Sequence, residues 1–179
     1  MQSRARFLSH PIHQIVIVFP LGLFFTSAIF DLIGLATSSS RWNFVASYMI
    51  GAGLVGGVAA AVAGLVDYLA IPARTRARKI GMIHGIASLG MVAMFGIGGW
   101  LRMGQPSHPT PVALLFSWGG VLVGAAAGWL GGELVTRMGI GVDPDAGLDA
   151  PGSFTRTVAP ARPASSPAQP VATRVPEHV

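Results

Sequence analysis

Four long apolar stretches constrain the fold of this chain more than any other feature. They lie at about residues 12–36, 44–71, 80–101 and 112–136, and each contains only one or two ionisable residues, close to its ends. A helix needs about 20 apolar residues to cross the hydrocarbon core of a bilayer, and every stretch is longer than that. The sequence therefore predicts an all-α, polytopic membrane protein with four transmembrane helices in an antiparallel bundle, and the lipid bilayer as its first partner.

The composition restricts the chemistry that such a bundle can carry. Hydrophobic residues make up 51% of the chain and charged residues 11%, as expected for a membrane protein. The chain has no cysteine, which excludes disulfides, iron–sulfur clusters, thiolate zinc sites and cysteine nucleophiles. A metal or cofactor must then be held by histidine, carboxylate, methionine or backbone groups. The sequence has no phosphate-binding loop or hydrolase motif, so it indicates no particular class of enzyme.

The basic residues predict the orientation in the membrane. Seven of them lie before the first stretch, between the second and third, and after the fourth: Arg4, Arg6, Arg74, Arg76, Arg78, Lys79 and Arg137. The other two loops contain only Arg41 and Arg102. Because basic residues favour the cytoplasmic side, both termini and the second loop are predicted to be cytoplasmic. The same placement explains the high isoelectric point without a nucleic-acid partner.

The last part of the chain, residues 143–179, differs from the rest in composition. It is rich in proline, alanine and serine, and it cannot bury enough apolar surface to offset the entropy lost on ordering. Asp143, Asp145 and Asp149 lack the full pattern of a calcium-binding loop. We therefore predict a four-helix transmembrane domain at residues 1–142 and a disordered cytoplasmic tail at 143–179.

Small residues at helical spacing predict where the helices pack, because they let another helix approach closely. One series lies in the fourth stretch: Gly120, Gly124, Gly128 and Gly132. A second series lies in the second stretch: Gly53, Gly56, Gly57, Ala60, Ala63 and Gly64. Asp67 continues this second series, so it is predicted to face protein and not lipid. In the first stretch, Pro20 is predicted to bend the helix and to free a carbonyl group near Val16.

Two histidines and two carboxylates are predicted to lie at one depth in the membrane. They are His13, Asp67, His84 and Glu133, each a few residues from a cytoplasmic helix end. At about 1.5 Å per residue, they lie roughly 5 to 10 Å inside that boundary. We expect them to converge as a polar layer. Each of the two helical hairpins begins with a histidine and ends with an acid, a pattern that suggests an internal duplication.

Some of these residues also have simpler interpretations. His10 and His13 flank Pro11 at a spacing that suits metal chelation, with Pro11 at the first helical position and His10 at the cap. Imidazoles are equally well tolerated at a membrane interface. Glu133 has a basic neighbour one turn later, Arg137, with which it can form an ion pair.

Two further ionisable residues lie towards the opposite boundary. Asp31 is assigned either to a proton relay or to a cap that points outward and pairs with Arg41. His108 lies between prolines in an outer loop and is predicted to be exposed.

Several motifs, taken in order along the chain, resemble those of a known family. They are His10-Pro11-Ile12-His13, Phe19-Pro20-Leu21-Gly22-Leu23, Phe30-Asp31-Leu32-Ile33, Gly64-Leu65-Val66-Asp67-Tyr68 through Ile71-Pro72, His84-Gly85, and Gly131-Gly132-Glu133-Leu134-Val135. Over residues 8–142 the chain is similar to the bacterial membrane family catalogued as domain of unknown function 2231. The resemblance implies four transmembrane helices in the bacterial inner membrane, without an established activity. In some relatives a similar domain is joined to a Rieske-type iron–sulfur domain, which implies electron transfer by association.

The chain departs from this family pattern at two places. The family often has asparagine four residues after the histidine of the third helix, where this chain has Ser88. It also often has Tyr-Arg-His after the Gly-Gly-Glu-Leu-Val run, where this chain has Thr136-Arg137-Met138. A ligand role for that last histidine therefore does not transfer to this chain.

Two functional hypotheses follow from the sequence. In the first, the protein is a membrane redox module: His13 and His84 are axial ligands of a b-type haem, or join His10 in binding a divalent metal. The carboxylates then orient the histidines or relay protons, and a redox protein or a second copy of the chain is the partner. In the second, the protein is a small proton-coupled transporter or a structural accessory subunit, in which the same polar layer moves protons or stabilises packing.

Overall fold

The computed structural model describes residues 1–153, and the part of the predicted tail at 154–179 lies outside the described residues. A two-stranded antiparallel ribbon, β1 (Arg6–Phe7) and β2 (His10–Pro11), precedes the helices. Five helices follow: α1 (Ile12–Val16), α2 (Val18–Thr37), α3 (Ser40–Ala70), α4 (Arg76–Leu101) and α5 (Pro111–Thr136). Four spans are long and apolar enough to cross a membrane, with α1 and α2 forming the first, so the predicted fold is confirmed.

The helices form two antiparallel hairpins. Hairpin one consists of α1, α2 and α3, and hairpin two of α4 and α5. The most extensive packing lies within each hairpin, between α2 and α3 and between α4 and α5. The hairpins meet through α3 against α4 and α2 against α5, which leaves α2 and α4 on one diagonal of the bundle. The inward-facing side chains of α2 and α4 therefore meet at the centre of the bundle.

The first span is divided into α1 and α2 at Ile17, close to Pro20, where the sequence predicts a bend; Ile17 itself keeps helical backbone angles. Helix α1 ends at Val16 and α2 begins at Val18. Proline has no N–H for the carbonyl of Val16, four residues before it, and its ring displaces that carbonyl. Pro20 itself is buried, and its Cδ lies 3.2 Å from where a Cβ on Gly56 would be. The boundary between α1 and α2 thus lies one turn after His13.

Small residues on α3 pack as predicted, because the buried positions include Gly53, Gly56, Gly57, Ala60 and Ala63. On α5 the prediction is correct for one half only. A Cβ on Gly120 would lie 2.8 Å from the Phe95 ring, and one on Gly124 would lie 2.5 Å from the Met91 sulfur.

The other half of the glycine series on α5 was wrongly assigned to a packing face. A Cβ on Gly128 or Gly132 would meet nothing within 4 Å. The physical reason is the helical repeat, because four residues exceed one turn of about 3.6 residues and a strict four-residue series rotates off the contact face. The contact continues through Ala127, which is buried, and Gly131, which lies against His84.

The N-terminal segment folds back onto the histidine end of the bundle, defined here as the end that carries His13 and His84. The amino group of Met1 donates to the carbonyl of Gly139 at 2.8 Å, and Arg6 forms an ion pair with Asp143 at 3.6 Å. Residues 143–153, the described part of the predicted tail, contain no helix or strand. Residues that precede the first span and residues that follow the fourth are therefore in contact at this end.

Candidate functional site

Two imidazoles face each other between the hairpins at the histidine end. His13 lies on α1 and His84 on α4, and their ring centroids are 6.3 Å apart with the ring planes at 86°. Both side chains are only partly exposed. The sequence placed these two histidines at one depth, and the structure brings them together.

Each imidazole is oriented by a backbone carbonyl of the other helix in its own hairpin. Nδ1 of His13 lies 2.8 Å from the Ala60 oxygen on α3, and Nδ1 of His84 lies 2.9 Å from the Ala127 oxygen on α5. A carbonyl oxygen only accepts, so Nδ1 donates the proton in both rings and the neutral imidazole keeps its lone pair on Nε2. A metal-bound histidine commonly has the same arrangement, with the second nitrogen donating to a carbonyl or carboxylate.

A glycine lies directly behind each ring. A Cβ on Gly64 would lie 2.9 Å from Nδ1 of His13, and a Cβ on Gly131 would lie 3.1 Å from Cε1 of His84. Any side chain at these positions would push the imidazole out of place, so both glycines help to set the ring positions.

The two predicted carboxylates at this end have other partners. Asp67 faces protein, as predicted, and accepts hydrogen bonds from the hydroxyl of Ser3 at 2.7 and 2.8 Å and from the N–H groups of Arg4 and Ala5 at 2.8 and 3.0 Å. Glu133 contacts Arg76 at 3.5 Å, and not the expected Arg137. Within residues 1–153 neither carboxylate hydrogen-bonds to an imidazole. The expected four-residue layer therefore separates into a histidine pair and two carboxylates that hold chain segments.

His10 does not join the pair. It lies exposed in β2, with Nδ1 at 2.8 Å from the Leu8 oxygen, and the helix begins one residue later than expected, with Pro11 as the N-cap. The described chain has no group of three or more His, Asp or Glu side chains that could hold a metal ion. His108 is exposed, as predicted.

The structure corrects the predicted partner of Asp31. It is fully buried and pairs with Arg102, not with Arg41, through Nη1–Oδ1 at 2.8 Å and Nη2–Oδ2 at 2.5 Å. Asn43 donates to Oδ1 of Asp31 at 3.1 Å, and Nη2 of Arg102 also donates to the Ser117 hydroxyl at 2.9 Å. The cost of burying the two charges is offset because two nitrogens of the guanidinium donate to the two oxygens of the carboxylate. We call this the ion-pair end of the bundle.

Sequence reasoning placed Arg102 in a loop, and a signal for its true role was present in the spacing. Phe24 follows His13 by 11 residues, and Phe95 follows His84 by 11. Asp31 follows His13 by 18 residues, and Arg102 follows His84 by 18. The pairs formed by these equivalent positions are the ones in contact, including the Phe24 and Phe95 rings, stacked with centroids 4.3 Å apart.

The second helices of the hairpins show the same correspondence. Ala60 and Ala127 are 67 residues apart, and so are Gly64 and Gly131. Both alanines accept from a histidine, and both glycines lie against one. Since equivalent residues contact one another across the bundle, the hairpins are related by an approximate two-fold axis parallel to the helices. The histidines of the suggested duplication occupy equivalent positions, whereas the acids Asp67 and Glu133, which are 66 residues apart, do not.

These features define a multi-pass membrane protein with a two-hairpin, four-helix bundle and a histidine pair near one end. The model of the family described as "Predicted membrane protein (DUF2231)" matches residues 9–144. This match covers most of the chain, so the protein belongs to that family. Comparisons with curated proteins and with solved structures gave no match.

Proposed function

We propose that this protein is a membrane redox module that binds a b-type haem between His13 and His84. The observation that carries the proposal is the pair of facing imidazoles whose Nδ1 atoms are both engaged by backbone carbonyls. This leaves the Nε2 lone pair of each ring for a ligand. Haem sites in helical bundles are built in the same way, from side chains on facing helices.

The small number of protein ligands favours a haem over a bare metal ion in this proposal. An ion about 2.0 to 2.1 Å from each Nε2 puts the ring centres roughly 6 Å apart when the nitrogens lie on opposite sides of it, and roughly 5 Å apart at a tetrahedral angle. The observed separation of the ring centres, 6.3 Å, is compatible with a ligand atom held between the two rings. Two histidines also leave most of the coordination sphere of a bare ion unfilled, whereas a porphyrin brings four nitrogens of its own.

The surroundings support an orienting role for the protein. Gly64 and Gly131 fix the position of the rings, and the Asp67 carboxylate holds the N-terminal segment at the same end. Bound haem would supply a one-electron couple, and a redox protein or a second copy of the chain would exchange electrons with it. The basic residues at this end favour a cytoplasmic location for both termini, in a bacterial inner membrane.

An absorption spectrum of the detergent-purified protein, before and after dithionite, tests the proposal. The expected result is a Soret band that shifts on reduction. Because the two histidines are equivalent about the axis, His13→Ala and His84→Ala should reduce the haem content to a similar degree, about tenfold or more. His108→Ala, at an exposed histidine, is the control and should leave the spectrum unchanged.

The contrary results separate the alternatives. A Soret band that survives both substitutions would place the haem elsewhere. A protein without haem, after expression with added haem precursor, would favour the proton-coupled or accessory role, in which the histidine pair exchanges protons or stabilises packing.

The orientation has its own test, which the absence of natural cysteines makes simple. A cysteine introduced by Arg76→Cys should resist an impermeant thiol reagent in intact cells, and one introduced by Ser107→Cys should react. The reverse pattern would place the histidine end on the outer side.

A further inference from the structure

Three pairs of side chains lie along the approximate two-fold axis, and one pair differs from the others in kind. His13 meets His84 and Phe24 meets Phe95, so these two pairs join identical residues. The third pair joins opposite charges, Asp31 of hairpin one and Arg102 of hairpin two.

The identical pairs do not distinguish one hairpin from the other. If hairpin one paired with hairpin one of a second copy, histidine would again meet histidine and phenylalanine would again meet phenylalanine. The glycine contacts beside the phenylalanines are also alike, since Gly53 lies against Phe24 as Gly120 lies against Phe95. Apolar contacts alone would therefore allow hairpins to pair within one chain or between two chains.

The third pair removes that ambiguity. Both side chains are buried, with Asp31 0% and Arg102 1% exposed, so neither charge has access to water. Two copies of hairpin one would bury two aspartates against each other, and two copies of hairpin two would bury two arginines. Like charges in a site of low polarity repel strongly, and an unpaired buried charge is costly.

We propose that the Asp31–Arg102 pair determines hairpin pairing, so that hairpin one accepts only hairpin two and rejects the same hairpin of a second copy. The pair acts chiefly through the partners that it excludes. Replacement of a buried ion pair by apolar residues is often neutral for stability, which agrees with a role in specificity. The proposal does not depend on whether the histidine pair binds haem.

The test uses the full-length chain and a single introduced cysteine. Phe24→Cys places a thiol on the axis, and a short membrane-permeable bismaleimide then links two chains only where hairpin one meets hairpin one. The chain with both Phe24→Cys and Phe95→Cys calibrates the reagent, because its two thiols lie opposite each other within one chain. The readout is the fraction of cross-linked dimer on a denaturing gel.

Two uncharged backgrounds and one charged background are compared with the native pair. Asp31→Leu/Arg102→Leu and the polar variant Asp31→Asn/Arg102→Gln should each raise the cross-linked dimer at least about fivefold, because the discrimination is lost. The exchanged variant Asp31→Arg/Arg102→Asp restores opposite charges at equivalent positions, and it should stay close to the native level.

The outcomes are unambiguous when at least one uncharged variant folds, as judged by helical circular dichroism. Native-level cross-linking in a folded uncharged variant would overturn the proposal, because the charges would not then select the partner. Cross-linking in the exchanged variant as high as in the uncharged variants would also overturn it.

Discussion

At both ends of the bundle, equivalent positions of the two hairpins are in contact, but the side chains that meet there differ in chemistry. At the histidine end, equivalent positions carry identical residues, and their hydrogen bonds go outward to the carbonyls of Ala60 and Ala127. At the ion-pair end, equivalent positions carry Asp31 and Arg102, and their hydrogen bonds go to each other. Among the described residues, no hydrogen bond engages Nε2 of His13 or His84, whereas at the ion-pair end Nε of Arg102 is the one buried side-chain nitrogen or oxygen without a partner. From this comparison we propose that the histidine end receives a ligand, whereas the ion-pair end determines which hairpins pair.

The largest effect on stability is expected when one partner of the ion-pair end is removed. Arg102→Met leaves the Asp31 carboxylate buried without its partner, and it should destabilise the protein by about 3 to 5 kcal/mol. Arg41→Met, which removes an exposed arginine, is the matched control and should change stability by less than about 0.5 kcal/mol. Thermal unfolding in detergent measures both. Similar melting temperatures for the two variants would show that the pair does not stabilise the fold.

The next effect concerns the carboxylates of the histidine end. Asp67→Ala removes the acceptor for the hydroxyl of Ser3 and the N–H groups of Arg4 and Ala5. Each hydrogen bond to a charged group contributes about 1.5 to 3 kcal/mol to stability. We expect the N-terminal segment to detach locally, so trypsin should cleave after Arg4 and Arg6 about tenfold faster.

Glu133→Ala provides the control for that experiment. Within residues 1–153, the Glu133 carboxylate forms one ion pair, at 3.5 Å to the exposed Arg76, and such surface ion pairs contribute about 0 to 1 kcal/mol. Cleavage of the N-terminal segment should therefore stay at the native rate. Equal acceleration in both variants would contradict the assignment of Asp67 as the specific holder of this segment.

A smaller effect tests the packing between the two ends. Gly124→Leu would push a side chain into Met91 and should cost about 1 to 3 kcal/mol by overpacking. Gly128→Leu, one turn along the same helix, has open space around its Cβ position and should cost less. Thermal unfolding of the two variants compares them directly. A larger loss at position 128 would show that the helix face has been assigned wrongly.

The sequence predicted the parts of this molecule that follow from helical repeat and apolar length. The four spans and the placement of His13 and His84 at the same end of the bundle both come from spacing along single helices. It did not predict the role of Arg102, because a basic residue at a helix end usually points to water. The matching 18-residue spacings of Asp31 and Arg102 gain their meaning only from the contacts between the hairpins. Nor did it predict the partner of Asp67, because the N-terminal segment reaches it from 62 to 64 residues away in sequence.

The most direct test of the central claim is the electron paramagnetic resonance spectrum of the oxidised, purified protein. Two axial imidazoles on ferric haem, with ring planes close to the observed 86°, should give a strongly anisotropic low-spin signal. That signal should be replaced by a high-spin signal when either His13 or His84 is changed to alanine. A high-spin signal in the native protein, or no haem signal after expression with added haem precursor, would contradict the assignment of this histidine pair as a haem site.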